Sequence, residues 1–191
     1  WSPDGLRIAF SRGDDYFQRR LLFPLADARG RVLGFQARKL HEDDPLRAKY
    51  VNTPESELFH KGSVVYGLDH ARAAIAKEDR ACVVEGNTDV IALRQAGFEP
   101  VVASMGTALT EHQLRELGRL TKRLWLAFDG DAAGESATLR GMELATRQGF
   151  DVRVVALPPG IDPADDPGGF EARLGRAEPY LVYRTRIEIE R

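Results

Sequence analysis

Short apolar runs alternate with helix-like segments along the second half of the chain. The run Ala81–Val84 carries no polar side chain, a pattern typical of a strand covered on both faces in a parallel sheet. Alternation of strands and helices with short connections predicts a parallel sheet with right-handed crossovers and helices on both faces. The other predicted elements are strands over 100–103, 124–128 and 151–157 and helices over Thr88–Ala96, Thr110–Gly118 and Ala132–Gln148.

The first third of the chain has a different pattern. Arg20–Leu25 and Arg31–Leu40 predict the two strands of a hairpin, and Asp69–Lys77 predicts an Ala-rich helix with Asp69 as its N-cap. The last stretch, Phe170–Arg191, predicts an interrupted helix. We therefore expect a smaller, mostly antiparallel α+β subdomain over residues 1–78, an α/β subdomain over 79–168, and a helical tail over 169–191 that begins an incomplete subdomain.

Carboxylates follow three of the predicted parallel strands. Glu85 follows the first, Asp129 and Asp131 follow another, and the segment after strand 151–157 carries Asp162 and Asp165. Open α/β sheets bind their ligands at the carboxyl ends of the strands. Carboxylates that are close together repel each other unless a cation lies between them, and Mg²⁺ prefers oxygen-rich sites. A cation site at this edge of the sheet is the economical explanation.

The stretch Glu85–Asp89 supports a cation site only together with the second acidic strand end. Gly86 allows a sharp turn after the strand, Thr88 is a candidate N-cap of the next helix, and Asp89 complements the helix dipole. Taken alone, the stretch is better explained as an acidic surface turn. The second acidic strand end, at Asp129 and Asp131, favours a functional site.

Composition and charge set broad limits. The 191 residues are 43% hydrophobic and 29% charged, as in ordinary globular proteins, and no apolar run approaches membrane-spanning length. The sequence also lacks a signal-peptide pattern, so a cytoplasmic protein is expected. Cys82 is the single cysteine, which excludes disulfides and zinc-ribbon sites within the chain.

The charge distribution gives weak support for a phosphodiester substrate. Residues 1–72 carry 12 Lys/Arg against 10 Asp/Glu, and residues 73–191 carry 15 against 19. A neutral-to-basic half facing an acidic, metal-binding half suits such a substrate, although the asymmetry is small.

The acidic motifs resemble a known domain. Glu85-Gly86-x-x-Asp89 together with Asp129-x-Asp131 is similar to the Toprim domain of topoisomerases, primases and some nucleases. The surrounding sequence, from about Tyr16 to the chain end, resembles the catalytic core of bacterial DnaG-type primases. The motifs that carry this resemblance are Phe23-Pro24-Leu25, Gly34–Arg38, Lys49–Glu55, Leu58–Lys61, Val65-Tyr66-Gly67, Ser104–Thr110 and Phe128–Gly134.

The resemblance implies RNA primer synthesis on a single-stranded DNA template, from ribonucleoside triphosphates and with two or more Mg²⁺ or Mn²⁺ ions. It implies metal ligation by Asp129 and Asp131, and a role for Glu85 either as a metal ligand or as a general acid/base. Asp89 is expected to orient the cluster. The expected partners are the template, the nucleotides and the RNA primer, and also a replicative helicase through a region absent from this chain; no membrane is expected.

The loop after the last parallel strand departs from the family. Asp162 matches a metal-binding position, but Ala164 stands where the family carries a second Asp. Asp165 is one residue further along and is the candidate replacement, so the occupancy of a second metal position is left open here.

Basic, aromatic and amide residues in the first third match family positions near template or nucleotide. Without the resemblance, the 49–61 segment is better interpreted as a solvated polar loop. The candidate nucleic-acid or nucleotide-binding residues are Arg20, Arg38, Lys49, Tyr50, Asn52 and Lys61.

Two other functions are compatible with the acidic motifs. A Toprim nuclease or topoisomerase-like strand-cleavage domain is one, but a cleaving topoisomerase needs a tyrosine nucleophile, and no tyrosine here has the sequence context for that role. A non-enzymatic Toprim DNA-binding module in recombination or repair is the other. Such modules often lose one acid of the set, which makes Ala164 relevant to that alternative.

Overall fold

The computed structural model describes residues 17, 20–105, 108–127, 132–158 and 160–190, and the side chains of 132–138 and 190 are not part of that description. Its first sheet is antiparallel and has the strand order β1-β2-β3. The three strands are β1 (Arg20–Ala26), β2 (Val32–Lys39) and β3 (Tyr50–Asn52). The β1–β2 turn is closed by the Asp27 carboxylate, which accepts the backbone N–H of Arg29 and Arg31.

The second sheet has five strands in the order β5-β4-β6-β7-β8. The first four pair in parallel and β8 pairs with β7 in the antiparallel sense. The strands are β4 (Ala81–Val84), β5 (Val101–Ala103), β6 (Arg123–Ala127), β7 (Asp151–Val154) and β8 (Glu178–Pro179).

Helices cover both faces of this second sheet. They are α1 (Leu68–Glu78), α2 (Asn87–Gln95), α3 (Glu111–Leu117), α4 (Ala132–Arg147), α5 (Phe170–Leu174) and α6 (Tyr180–Glu190), with single 3₁₀ turns at Lys61–Ser63 and Pro163–Asp165. The predicted fold class, a parallel sheet with helices preceded by a small antiparallel sheet, is confirmed. In the described part of the chain, no helix combines the length and apolar character needed to span a bilayer.

The side-chain alternation of β4 divides the core into two layers. Val83 points into the layer that contains α1, α3, α4 and α6, whereas Cys82 and Val84 point into the layer that contains α2 and α5. Both layers are buried, so every side chain of β4 lies in an apolar environment. This explains why the run 81–84 is apolar throughout, as the sequence pattern predicted.

A third apolar cluster joins the two sheets. Leu25 of β1 packs with Phe59, Val64 and Met105, which belong to segments that border the parallel sheet. Gly34 of β2 permits the close approach, because a Cβ there would lie 2.9 Å from a ring carbon of Phe59.

Two local expectations differ from the structure. Helix α1 begins at Leu68 with Gly67 as N-cap, so the expectation that Asp69 is the cap was wrong; Asp69 lies in the first turn. Leu68 and Ile75 of α1 pack in the core of the parallel sheet. The predicted helical tail also supplies a strand, β8, because its two residues pair along the edge of β7.

Candidate active site at the carboxyl edge of the parallel sheet

The turn after β4 presents Glu85 and is stabilised by Asp89. Helix α2 begins at Asn87, with extended Gly86 as its N-cap, so Thr88 lies inside the first turn and the expectation that it caps the helix was wrong. The Asp89 carboxylate accepts the backbone N–H of Gly86 at 3.0 Å. Asp89 is 5% exposed, whereas Glu85 is exposed. Asp89 thus fixes the turn and leaves Glu85 at the surface.

The acidic turn after β7 lies against the same helix. The 3₁₀ turn Pro163–Asp165 contacts α2. Burial, together with the nearby carboxylates of Asp162 and Asp165, raises the pKa of Asp89, while the backbone N–H groups of Gly86 and Ala164 oppose the shift. Asp89 therefore links two strand ends. We call the described residues Glu85, Asp162 and Asp165 the acidic edge.

Asp165 has a structural contact of its own. One of its carboxylate oxygens accepts the backbone N–H of Asp162 at 2.9 Å, which closes the 3₁₀ turn. Both residues are exposed. The neighbouring Asp166 has different partners: its carboxylate accepts hydrogen bonds from the Arg173 guanidinium and from the Gly169 N–H. These contacts hold the pKa of Asp166 below its ordinary value.

Asp129 and Asp131 lie outside the described residues. The strand that precedes them, β6, ends at Ala127 and runs between β4 and β7. Among the residues that the structure describes, no three His, Cys, Asp or Glu side chains group closely enough to hold a metal ion. The chemistry of the donors at this edge nevertheless fits a divalent cation, because carboxylate oxygens are the ligands that Mg²⁺ prefers.

One face of the antiparallel sheet carries polar and aromatic side chains. Arg38 is directly opposite Tyr50, and Gln36 is directly opposite Asn52, so the four side chains lie on the same face. We call this set, Gln36, Arg38, Tyr50 and Asn52, the polar face. The ammonium of Lys49 lies 5.9 Å from the centroid of the Tyr50 ring. Cationic, aromatic and amide groups are thus adjacent here.

Lys61 lies on a turn that is fixed from two sides. Its backbone N–H donates to the Glu55 carboxylate at 2.9 Å, and this contact, followed by that of His60, holds the pKa of Glu55 below its ordinary value. From the other side, the Thr110 hydroxyl donates to the Gly62 carbonyl at 2.6 Å. The half-buried Lys61 side chain therefore extends from a rigid segment.

Arg20 is separated from the other candidate binding residues. It is paired with Lys39 in the β1–β2 register, which puts its side chain on the face opposite to Arg38. Arg20 is 1% exposed and lies 2.7 Å from the Asp44 carboxylate. Its guanidinium also donates to the backbone carbonyls of Leu46 and Ala48, at 2.7 and 3.0 Å. It stabilises the loop that leads to Lys49 and Tyr50.

Sequence reasoning missed two buried amides between the sheets. The Asn87 side chain donates to Gln36 Oε1 at 2.9 Å, and Gln36 Nε2 donates to Asn52 Oδ1 at 2.9 Å. Asn87 and Gln36 are 2% and 6% exposed. The available signal was a glutamine inside an apolar strand and an asparagine directly after Glu85-Gly86.

Comparisons with known proteins agree with this architecture. A family model for the N-terminal domain of the DNA primase catalytic core matches residues 7–72, and a Toprim-like model matches residues 82–167. The DNA primase of Escherichia coli is 42% identical over 189 residues, which is 94% of this chain and 32% of that protein. The chain spans between a quarter and a third of the length of the curated primases it matches.

Solved primase structures are similar over most of the chain. The RNA polymerase domain of Mycobacterium tuberculosis primase DnaG gives a TM-score of 0.83 at 40% identity, covering 91% of this chain and 60% of that one. A DnaG primase catalytic domain bound to single-stranded DNA gives a TM-score of 0.78 at 39% identity, covering 88% and 56%.

Proposed function

Because this chain belongs to the DnaG-type primase family, we propose that it acts as a primase catalytic core that synthesises short RNA primers on single-stranded DNA. In this role it is a nucleotidyltransferase, a DNA-directed RNA polymerase of the primase type. Its substrates would be ribonucleoside triphosphates and a DNA template, and it would work in the cytoplasm with a replicative helicase.

The observation that supports this proposal is that two acidic turns lie against helix α2, next to the polar face. Glu85 follows β4 and the Asp162–Asp165 turn follows β7, and these two strands flank β6 in the sheet. Asp89 joins the two segments through its contacts with Gly86 and Ala164. The Asn87–Gln36 contact connects this edge to the antiparallel sheet. An acidic site next to a cationic and aromatic surface suits nucleotidyl transfer on a nucleic acid.

The acidic side chains would hold Mg²⁺ or Mn²⁺. Two such ions, when bound, activate the attacking 3′-hydroxyl and neutralise the leaving pyrophosphate. Asp129, Asp131 and Asp162 would supply oxygen ligands, with Asp165 in place of the acid missing at Ala164. Glu85, exposed on a turn that Asp89 fixes, would either complete the ligand set or exchange a proton with the substrate.

The residues beside the acidic edge would bind the polyanion. Arg38, Lys49 and Lys61 would contact phosphates, and Tyr50 would stack on a base. Asn52 would contact the substrate from the polar face while its carbonyl oxygen accepts from Gln36. Arg20, which is buried, would contribute indirectly by holding the 44–48 loop in place.

The test is primer synthesis on single-stranded DNA with labelled ribonucleotides and Mg²⁺ or Mn²⁺. We expect ladders of short RNA from the wild-type chain, and at least about a hundredfold lower incorporation from Asp129→Asn and from Asp131→Asn. The matched control is Asp166→Asn, which removes the same charge from a residue paired with Arg173 and should keep normal synthesis.

Three outcomes would contradict the proposal. Incorporation that persists in Asp129→Asn or in the presence of a chelator would exclude the metal assignment. Metal-dependent cleavage of the DNA without nucleotide incorporation would support the strand-cleavage alternative. DNA binding without either reaction would favour the non-enzymatic module.

A further inference from the structure

The two sheets meet near the acidic edge through buried amides. Asn87 is the first residue of α2 and follows Glu85 by two positions, whereas Gln36 lies in the middle of β2. The two are 51 residues apart in sequence and joined by a 2.9 Å hydrogen bond. The side-chain N–H of Gln36 donates in turn to the Oδ1 atom of Asn52 on β3. This amide chain runs from the Glu85 turn to the polar face.

The other contacts between the two units include an exposed hydrogen bond from the Arg72 guanidinium to the Ala28 carbonyl, and apolar packing of which part lies next to Gln36. Phe23 and Tyr66 meet edge to face with their ring centroids 6.4 Å apart, and Leu25 packs against Phe59 and Val64. Such contacts stabilise the association but are non-directional and permit small sliding movements. A buried amide pair requires one relative position, because a displaced amide leaves its buried partner without a hydrogen bond.

We propose that the chain of hydrogen bonds Asn87–Gln36–Asn52 is a positioning device that sets the distance between the polar face and the turn that carries Glu85. This inference rests on the proposed function, because it assigns the device to the alignment of a template-bound nucleotide with the acidic edge. Gln36 and Asn87 are positioning residues: they act through Asn52 on one side and Glu85 on the other.

The test separates alignment from stability. Gln36→Met and Asn87→Leu should each lower the Tm by roughly 2–10 °C, because each leaves one buried amide without its partner. In the double variant both buried amides are replaced by apolar side chains, and only the half-buried Asn52, whose oxygen water can reach, loses a donor, so we expect the Tm to return to within about 3 °C of wild type. The kcat for primer synthesis should nevertheless stay about tenfold to a hundredfold lower, because the reacting groups are no longer aligned.

The matched control weakens an apolar contact between the same units and removes no amide; Phe23 is directly opposite Gln36 in the β1–β2 register. Phe23→Leu alters the contact with Tyr66 and should lower the Tm, yet it should leave kcat within about twofold of wild type. Affinities for Mn²⁺ and for single-stranded DNA should also change by no more than about twofold in the double variant, since the ligands themselves are intact. A double variant whose kcat returns together with its Tm would overturn the proposal.

A distance measurement keeps the inference testable if the chain makes no primers. Spin labels at Leu40→Cys, beside β2, and Gln95→Cys, at the end of α2, report the separation of the two units; Cys82 is buried and would not react. We expect one narrow distance distribution in the otherwise wild-type and Phe23→Leu proteins, and a broadened or shifted one in the double variant. Equal distance distributions in all three proteins would contradict the proposed positioning role, whatever the result of the primer-synthesis assay.

Discussion

Asp89 is the residue that joins the two described segments of the acidic edge. Its carboxylate accepts hydrogen bonds from the backbone N–H of Gly86 and from the backbone N–H of Ala164, which belongs to the turn after β7. A carboxylate so deeply buried would be destabilised without these donors, and the charges of Asp162 and Asp165 add to the cost. Its geometry suits an organising role, and in our proposal the exposed Glu85 is the residue of this turn that acts on the substrate or the metal.

Asp165 offers a test of whether a displaced acid can replace a missing ligand. Asp165→Asn keeps an oxygen that can accept the Asp162 N–H, so we expect the metal-free Tm to stay within about 2 °C of wild type. The loss of the charge should weaken Mn²⁺ binding severalfold, because carboxylates are the preferred ligands. Titration of Mn²⁺ by calorimetry or by electron paramagnetic resonance measures this change.

Asp165→Ala provides the comparison, since it removes both the charge and the turn-closing acceptor. It should weaken Mn²⁺ binding as Asp165→Asn does and also lower the Tm, because the N–H of Asp162 loses its partner. If Asp165→Asn binds Mn²⁺ like the wild type while Asp162→Ala does not, then Asp165 serves only to close the turn.

At the scale of elements, connecting segments carry Lys49, Lys61 and the acidic edge, whereas Arg38, Tyr50 and Asn52 lie on strands. Specific side-chain contacts fix these connecting segments. The loop before Tyr50 is held by Arg20, the turn of Lys61 by Glu55 and Thr110, and the turn after β7 by Asp165. These devices replace regular hydrogen bonding where the chain leaves a sheet. The positions of Lys49 and Lys61 therefore depend on Arg20, Glu55 and Thr110.

The Arg20–Asp44 ion pair makes the loop before Tyr50 sensitive to acid. Hydrogen bonding from Arg20, supported by the N–H of Leu46, holds the pKa of Asp44 below its ordinary value of 3.8. A carboxyl group whose pKa is lower in the folded state stabilises the fold above its unfolded pKa, and this stabilisation is lost as the pH falls through the folded pKa. Asp44→Asn should thus lower the Tm at neutral pH.

The difference in Tm between wild type and Asp44→Asn should narrow as the pH falls below 3.8, because the wild-type carboxyl then becomes protonated as well. Melting curves of both proteins across this range measure the effect. Glu42→Gln is the control from the same loop: its fully exposed carboxylate lies 3.5 Å from Lys39 and should contribute little at any pH. A constant difference between wild type and Asp44→Asn would contradict the assignment.

At the scale of the whole molecule, the order of strands and helices in the parallel sheet was predictable because apolar runs and helical periods alternate along the sequence. Elements stabilised mainly by long-range contacts were not. β8 has only two residues and exists because β7 offers an edge to Glu178 and Pro179. The Asn87–Gln36 pair was also missed, since no local pattern relates positions 51 residues apart.

The candidate site was predictable in part for the same reason. Glu85 and Asp162 follow strands whose ends must meet at one edge, so their placement follows from topology. The position of Arg20 did not follow, because a basic residue at the start of a strand can point to either face. Asp129 and Asp131 lie outside the described residues, and their role stays a prediction.

The convergence of acids from separate strands predicts that a divalent cation stabilises the whole fold. The acids are far apart in sequence and come together only when the sheet forms, so an ion binds the folded chain and not the unfolded one. At a concentration of a hundred times the Kd, one bound ion adds about 2.7 kcal/mol, which corresponds to a rise in Tm of roughly 5–10 °C. Melting curves with and without Mg²⁺ or Mn²⁺ measure the shift.

Two variants decide whether this shift arises at the proposed site. Asp129→Asn should reduce it by at least about half, and its metal-free Tm should not fall, because it removes one charge from a repelling cluster. Asp166→Asn, which changes the salt bridge with Arg173 outside that cluster, should keep the full shift. Equal shifts in both variants would assign the stabilisation to ions bound elsewhere, and an unchanged wild-type Tm at millimolar cation would contradict a site formed by folding.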